Sequence, residues 1–97
     1  MIEHIVLFKW QESASKEAIA VAIAALQEMK GKIPTIVDLS CGENFCDRAR
    51  GYTHGLVVRF SDREGLDAYQ SHPLHQDIIA KYIKPIVAEV LALDYKF

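Results

Sequence analysis

The sequence predicts an α+β fold, a ferredoxin-like β-α-β-β-α-β sandwich formed by a single domain over residues 1–97. Segments of alternating apolar residues, typical of strands, recur along the chain and are separated by stretches with helical periodicity. A chain of 97 residues has room for one small core. With 51% hydrophobic and 25% charged residues, the composition is that of a globular domain and excludes a disordered chain.

The first predicted strand covers residues 2–10. One of its faces carries every second residue, namely Ile2, His4, Val6, Phe8 and Trp10. Ile5 and Leu7 lie on the other face, so we expect both faces to be buried. The segment is short and has no basic leader, so we do not expect it to be a secretory signal.

A helix is expected next, capped by Ser13 or Ser15 and running to about Lys30, with Gly31 as part of its stop signal. Its apolar stripe follows the spacing i, i+3, i+4, i+7, i+10 and consists of Ile19, Ala22, Ile23, Leu26 and Met29. A second strand is predicted over residues 35–41. Thr35, Val37 and Leu39 are expected to share one side of it.

The polar, turn-rich residues 42–51 predict a loop, and a third strand is expected over residues 52–60. One face of that strand carries Tyr52, His54, Leu56, Val58 and Phe60. A capping box at residues 61–64 predicts the start of the next helix. Pro73 interrupts that helix, because the residue before a proline is disfavoured in helical geometry, and begins another one. Residues 87–97 form the last predicted strand.

The helices of such a fold cover only one face of the sheet, yet Ile5, Leu7 and Val57 make the other face apolar as well. An uncovered apolar sheet face in water predicts an interface between subunits. We therefore expect a homodimer in which two sheets pack face to face.

The formal net charge of −2 and the absence of a basic cluster argue against nucleic acid as a partner. No apolar run reaches 18 residues, so no membrane partner is expected and the protein is predicted to be cytoplasmic. Cys41 and Cys46 are five positions apart without a nearby histidine. This spacing favours reduced, locally packed thiols over a zinc site. A disulfide between the two cysteines remains an alternative.

Histidine and tyrosine side chains form the candidate site. His4 and His54 lie on adjacent predicted strands and face the helices, whereas Tyr69, His72 and His75 are spaced by three in the helical segment. We expect all five to converge at one end of the space between sheet and helices. An apolar pocket with convergent titratable groups predicts a small-molecule ligand.

Each of these residues also has a structural interpretation. Strand histidines often bond to backbone, Tyr69 can serve as a packing residue, and His72 can cap the following helix. A metal bound by His72 and His75 is disfavoured, because Pro73 lies between them and no carboxylate or thiolate is fixed beside them. We expect neither a metal nor a cofactor.

Four segments carry a family pattern: residues 4–10, 51–54, 68–75 and 94–95. Their sequences are HIVLFKW, GYTH, AYQSHPLH and DY, and the Y-x-x-H-P-x-H run is the most specific of them. In these segments the chain resembles the stress-responsive dimeric A/B barrel (Dabb) domain family, and bacterial members of unknown function look most similar. The resemblance covers essentially the whole chain. It implies a ferredoxin-like subunit that pairs through its sheet into a dimeric α/β barrel.

The family includes plant proteins similar to olivetolic acid cyclase, which performs an aldol condensation without a cofactor. By motif position, the resemblance implies that His75 acts as base and that Tyr69 holds a carbonyl oxygen. The remaining expected pocket residues are His4, Val6, Phe8, Ala22, Ile23, Leu26, His54, Leu56 and His72. Three of them, Ala22, Ile23 and Leu26, stand where the cyclase has aromatic residues, which implies a less aromatic cavity and a different substrate.

Three hypotheses follow for the function. The first is a stress-responsive homodimer that binds a small ligand in this pocket. The second is a cofactor-independent cyclase or lyase that acts on a carbonyl or polyketide-like substrate. The third and weakest is a monooxygenase of the antibiotic-biosynthesis type, which predicts a Soret band after incubation with haem.

Overall fold

The computed structural model describes all residues from 1 to 97. Its elements are β1 (Ile2–Trp10), α1 (Lys16–Gln27), β2 (Ile36–Glu43), β3 (His54–Phe60), α2 (Arg63–Ser71), α3 (Pro73–Ile78) and β4 (Val87–Lys96). A π-helical segment, Ile79–Ile83, continues α3 and is called the π-turn below. The strands form one antiparallel sheet in the order β2-β3-β1-β4. The predicted ferredoxin-like α+β fold is confirmed.

The core lies between the helices and the sheet face that carries the even-numbered residues of β1. Its largest fully buried side chains are Leu26, Met29, Ile33, Val58, Phe60 and Tyr69. Because apolar burial is the dominant favourable contribution to folding, this layer holds the helices against the sheet. It also fixes the helix positions from which the candidate site is built.

Of the two serines proposed as the cap of α1, Ser15 takes the role. Its hydroxyl accepts a hydrogen bond from the N–H of Ala18 at 3.0 Å. The helix ends at Gln27, earlier than predicted. The following residues form tighter turns, and the backbone at Gly31 adopts φ +85°. These turns keep Met29 fully buried although it lies outside the regular helix.

The predicted face of β2 is wrong in its first half because the strand contains a bulge. Its register against β3 shifts between Ile36 and Asp38, which makes Val37 the extra residue. A bulge reverses the alternation of side chains between the two faces. Ile36 and Leu39 therefore pack against the core, whereas Val37 is 47% exposed. Thr35 precedes the strand.

The helix predicted from the capping box begins one residue later than the box implies. Asp62 is the cap residue, and its carboxylate accepts a hydrogen bond from the N–H of Gly65 at 2.8 Å. A carboxylate at this position also interacts favourably with the positive end of the helix dipole. The predicted interruption at Pro73 is confirmed, because His72 is extended with φ −63° and ψ 133°.

The outer face of the sheet is uncovered in the single chain and is largely apolar. The residues that share it are Ile5, Leu7, Val57, Leu91, Leu93 and Tyr95. Leu91 and Leu93 are each about half exposed. At one end of this face, Arg59 donates two hydrogen bonds to the Glu3 carboxylate, and this pairing lowers the pKa of Glu3. None of the helices has the length and apolar character needed to cross a membrane.

Candidate functional site

A cavity of about 370 Å³ lies between the sheet and the helical segments that follow β3. Its floor is formed by β1, β3 and β4, and its other walls by α1, α2, α3 and the π-turn. The apolar lining residues are Val6, Phe8, Leu26, Leu56, Ile79, Ile83, Val87, Val90 and Ala92. Polar groups are contributed by His4, Tyr69, Gln70, His75 and Lys84. Such walls, with a few polar groups, are typical of small-molecule sites.

Tyr69 projects from α2 and is almost fully buried. Its ring contacts that of His75, with 4.3 Å between centroids, and meets that of His4 edge-on at 5.9 Å. The Tyr69 hydroxyl has no hydrogen-bond partner within the chain. Since no enclosed polar side-chain atom of the molecule lacks a partner, this hydroxyl opens onto the cavity. Burial raises the pKa of Tyr69, so the phenol remains a hydrogen-bond donor at neutral pH.

His75 lies on α3 with its Nδ1 atom 3.2 Å from the backbone carbonyl oxygen of Gln70. Because a carbonyl oxygen only accepts hydrogen bonds, Nδ1 carries the proton and donates it. Nε2 of the neutral ring is therefore left with a free lone pair. Burial lowers the pKa of His75 by more than the hydrogen bond to Gln70 raises it, and the nearby His4 and His72 lower it further, so the neutral ring is favoured at pH 7. This is the protonation state that a general base requires.

His4 is buried on β1, where its Nδ1 atom donates to the carboxylate of Asp94 on the adjacent strand β4. This bond fixes the orientation of the imidazole beside Tyr69. Asp94 was not assigned a role from the sequence. Its position on the inward-facing side of β4, among apolar residues, was the available signal, but only the strand register shows that it lies opposite His4.

His54 does not join this group, contrary to the expected convergence. In the register, His4 lies opposite Val58, whereas His54 lies opposite Phe8. The two histidines are thus four residues apart along the sheet, roughly 13 Å. His54 instead receives a hydrogen bond at Nδ1 from the indole N–H of Trp10, at 2.9 Å.

His72 is also outside the cavity, because the extended backbone before Pro73 breaks the helical spacing that linked it to Tyr69 and His75. Its Nδ1 atom accepts a hydrogen bond from the N–H of Leu74 at 3.1 Å and caps α3. In the structure His72 therefore serves as the cap of α3, the structural alternative considered for it from the sequence.

Of the three α1 residues expected to line the pocket, only one does so. Leu26 lines the cavity, Ala22 is fully enclosed in the core, and Ile23 faces a second, more open depression beside Trp10 and His54. The cause is the helical period, which turns successive stripe positions toward different sides of the helix. Of the pocket residues predicted on β1 and β3, all but His54 line the cavity, namely His4, Val6, Phe8 and Leu56.

The cysteines lie away from the cavity and are both free thiols. Cys41 is half-buried on β2, and burial raises its pKa to about 11, so it is unreactive at neutral pH. Cys46 is exposed in the following loop. No cluster of three or more His, Cys, Asp or Glu side chains has an arrangement that could hold a metal ion.

Comparison with known sequences identifies one family. The model of the stress-responsive A/B barrel domain matches residues 2–97. One stress-response A/B barrel domain-containing protein of Arabidopsis thaliana is 29% identical over 96 residues, which cover 98% of this chain and 36% of that protein. A second such Arabidopsis protein is 27% identical, with 96% of this chain and 83% of that protein covered. The chain thus spans about a third of the length of the first relative and most of the second.

Solved structures share the fold over nearly the whole chain. A dimeric ferredoxin-like protein of unknown function from Thermobifida fusca has a TM-score of 0.87 at 28% identity, covering 99% of this chain and 90% of that one. The hydroxynitrile lyase from Passiflora edulis also has a TM-score of 0.87, at 22% identity, covering 97% and 90%. The latter likeness is one of fold alone.

Proposed function

Since this chain belongs to the stress-responsive A/B barrel domain family, we propose that it is a homodimer that binds a small molecule in the cavity between sheet and helices. One observation carries the proposal: His75 and Tyr69 line the same apolar cavity, and neither Nε2 of His75 nor the Tyr69 hydroxyl has a partner in the chain. Binding groups left unpaired in an apolar cavity favour a ligand that supplies the missing hydrogen bonds.

Support for the homodimer comes from the outer face of the sheet. An apolar face that includes the half-exposed Leu91 and Leu93 is unfavourable in water and favourable between two copies. Structurally similar proteins from Thermobifida fusca and Bacteroides fragilis are described as dimeric. Two sheets packed through this face would leave each cavity open on the opposite, helix-covered side.

The same geometry favours cofactor-independent lyase or cyclase chemistry on a carbonyl or polyketide-like compound. In this scheme the Tyr69 hydroxyl donates a hydrogen bond to a carbonyl oxygen, and Nε2 of His75 removes a proton from the adjacent carbon. The electron pair of the broken C–H bond forms a C=C bond and the π pair of the carbonyl moves to the oxygen, where Tyr69 stabilises the enolate. Attack of the enolate carbon on a second carbonyl forms a C–C bond, and the proton on His75 neutralises the new alkoxide. The reverse sequence breaks that bond.

Two further features support this activity. The contact between the Tyr69 and His75 rings holds the donor and the base close together, and the Asp94-bound His4 packs edge-on against the Tyr69 ring. In addition, the Passiflora edulis hydroxynitrile lyase has the same fold, so the architecture accommodates a lyase.

The test uses acetophenone, a small apolar ketone, in D2O. Proton NMR would follow replacement of its methyl protons by deuterium, which requires only removal of the proton next to the carbonyl. We expect exchange above the buffer rate with the wild type and a loss of about 100-fold in His75→Gln and in Tyr69→Phe. Tyr82→Phe is the matched control, because Tyr82 does not line the cavity.

The outcomes separate binding from chemistry. Chemical-shift changes at Tyr69 and His75 without exchange would leave a ligand-binding protein with no turnover. Exchange that persists in His75→Gln would remove His75 as the base. Absence of both binding and exchange would contradict both the ligand site and its chemistry.

A further inference from the structure

The π-turn determines which side chains complete the lining of the cavity. The N–H of Lys84 bonds to the carbonyl oxygen of Ile79 at 2.9 Å, an i to i+5 hydrogen bond that brings residue 84 back over residue 79. In an α-helix these two positions would point about 140° apart. In this chain Ile79, Ile83 and Lys84 all line the same cavity as His75. Such π-helical insertions occur frequently at functional sites.

Lys84 gives this cavity an unbalanced charge. Among the residues that line the cavity, Lys84 alone carries a formal charge at every pH near neutrality. No aspartate or glutamate lines the cavity beside it. Its ammonium group has no ion-pair partner, whereas those of Lys9 and Lys30 lie 3.0 and 2.8 Å from carboxylates. The carboxylate of Asp94, on the inward face of β4, is bound to His4. A cation at the mouth of a low-dielectric cavity attracts anions most strongly there.

We propose that the ligand of this cavity is a small amphipathic carboxylic acid. Its apolar part would lie against Phe8, Leu26 and Leu56, and its carboxylate would pair with the ammonium group of Lys84. This inference rests on the function proposed above and adds the class of ligand. It also assigns the π-turn a role, since it is the i+5 geometry that presents Lys84 to the cavity.

The test compares two probes of nearly equal size and shape, 3-phenylpropanoate and 3-phenylpropanamide, by isothermal titration calorimetry at pH 7.5 and low salt. We expect the wild type to bind the carboxylate about five- to tenfold more tightly than the amide. Added NaCl should reduce that ratio, because the pair is partly exposed. Lys84→Gln should bring the ratio to about one while leaving amide binding unchanged, which also shows that the variant is folded.

Two control variants sharpen the comparison. Lys84→Arg keeps the charge and should keep the preference for the carboxylate. Lys81→Gln removes a charge from the same segment, where the ammonium lies over the Tyr82 ring and outside the cavity, and should keep the preference as well. A preference that survives in Lys84→Gln would overturn the assignment of Lys84.

The outcomes distinguish this inference from the proposed function. If the amide binds and the carboxylate binds no more tightly, the cavity remains a ligand site and the assignment of an acid is overturned. If neither probe binds and acetophenone is neither bound nor exchanged, the proposed function and this inference both fail.

Discussion

His75 and His54 are both partly buried, both face the helical layer, and burial lowers the pKa of each, yet they carry their proton on opposite nitrogens. A backbone carbonyl accepts from Nδ1 of His75, so the proton is on Nδ1 and Nε2 is basic. The indole N–H of Trp10 donates to Nδ1 of His54, so the proton is on Nε2 and that atom is a donor. The hydrogen-bond partner of Nδ1, rather than burial, therefore decides whether Nε2 of each histidine is a base or a donor.

The largest expected difference between the two histidines is in proton abstraction from a ligand. His75→Gln should lower the deuterium exchange of acetophenone about 100-fold, because the amide cannot accept a proton at neutral pH. His54→Gln should change the rate by less than about threefold, since His54 lies outside the cavity. Equal losses in the two variants, with both folded by circular dichroism, would show that the two histidines do not differ in role.

A second variant tests whether the different proton positions of His75 and His54 depend on dimer formation. Leu93→Asp places a charge on the outer sheet face and should reduce the mass measured by light scattering from twice that of the chain to that of one chain. Val21→Asp is the control, because Val21 is similarly exposed but lies on α1. The proton positions of His75 and His54 should be unchanged in the monomer, because both are set by contacts within the chain. A monomeric wild type would contradict the proposed dimer.

A third variant removes the group that sets the His54 proton. Trp10→Phe deletes the indole N–H and part of the stacking on Phe8, and should destabilise the protein by about 1–3 kcal/mol. Nitrogen-15 spectra of the imidazole should then show His54 as a mixture of both neutral tautomers, with His75 unaffected. A His54 ring that keeps its proton entirely on Nε2 would show that another contact, such as that of the Thr53 hydroxyl, is sufficient.

The smallest expected effect is on the pH dependence of stability. Because the pKa of His75 is lower in the folded than in the unfolded chain, the unfolded chain binds more protons as the pH falls below about 6.5. Stability is therefore lost on acidification through this range. His75→Gln should show a smaller drop in Tm between pH 7.5 and 5.5 than the wild type does. A larger drop in the variant would mean that the pKa of His75 is raised by folding.

The faces of β1 and β3 were predictable from the sequence, but the positions of their residues along the sheet relative to the neighbouring strand were not. Alternation placed His4 and His54 correctly on the inward face, because it depends on neighbouring residues only. Their separation depends on the register between β1 and β3, which no single strand encodes. The pairing of His4 with Asp94 was missed for the same reason.

Local irregularities account for the other differences. The bulge at Val37 inserts one residue into a pattern that otherwise alternates, and the π-turn inserts one into a helical pattern. Neither is marked by a glycine or proline at the inserted position. As a result, the exposure of Val37 and the place of Lys84 at the cavity follow only from the three-dimensional structure.

The most direct test of this account is the nitrogen-15 spectrum of the imidazole rings of the wild type at pH 7.5. We predict a neutral His75 with its proton on Nδ1 and a neutral His54 with its proton on Nε2. That result would establish a basic Nε2 at the cavity and a donor at the other end of the sheet. A His75 that is protonated on Nε2, or charged at this pH, would contradict the assignment of His75 as the base.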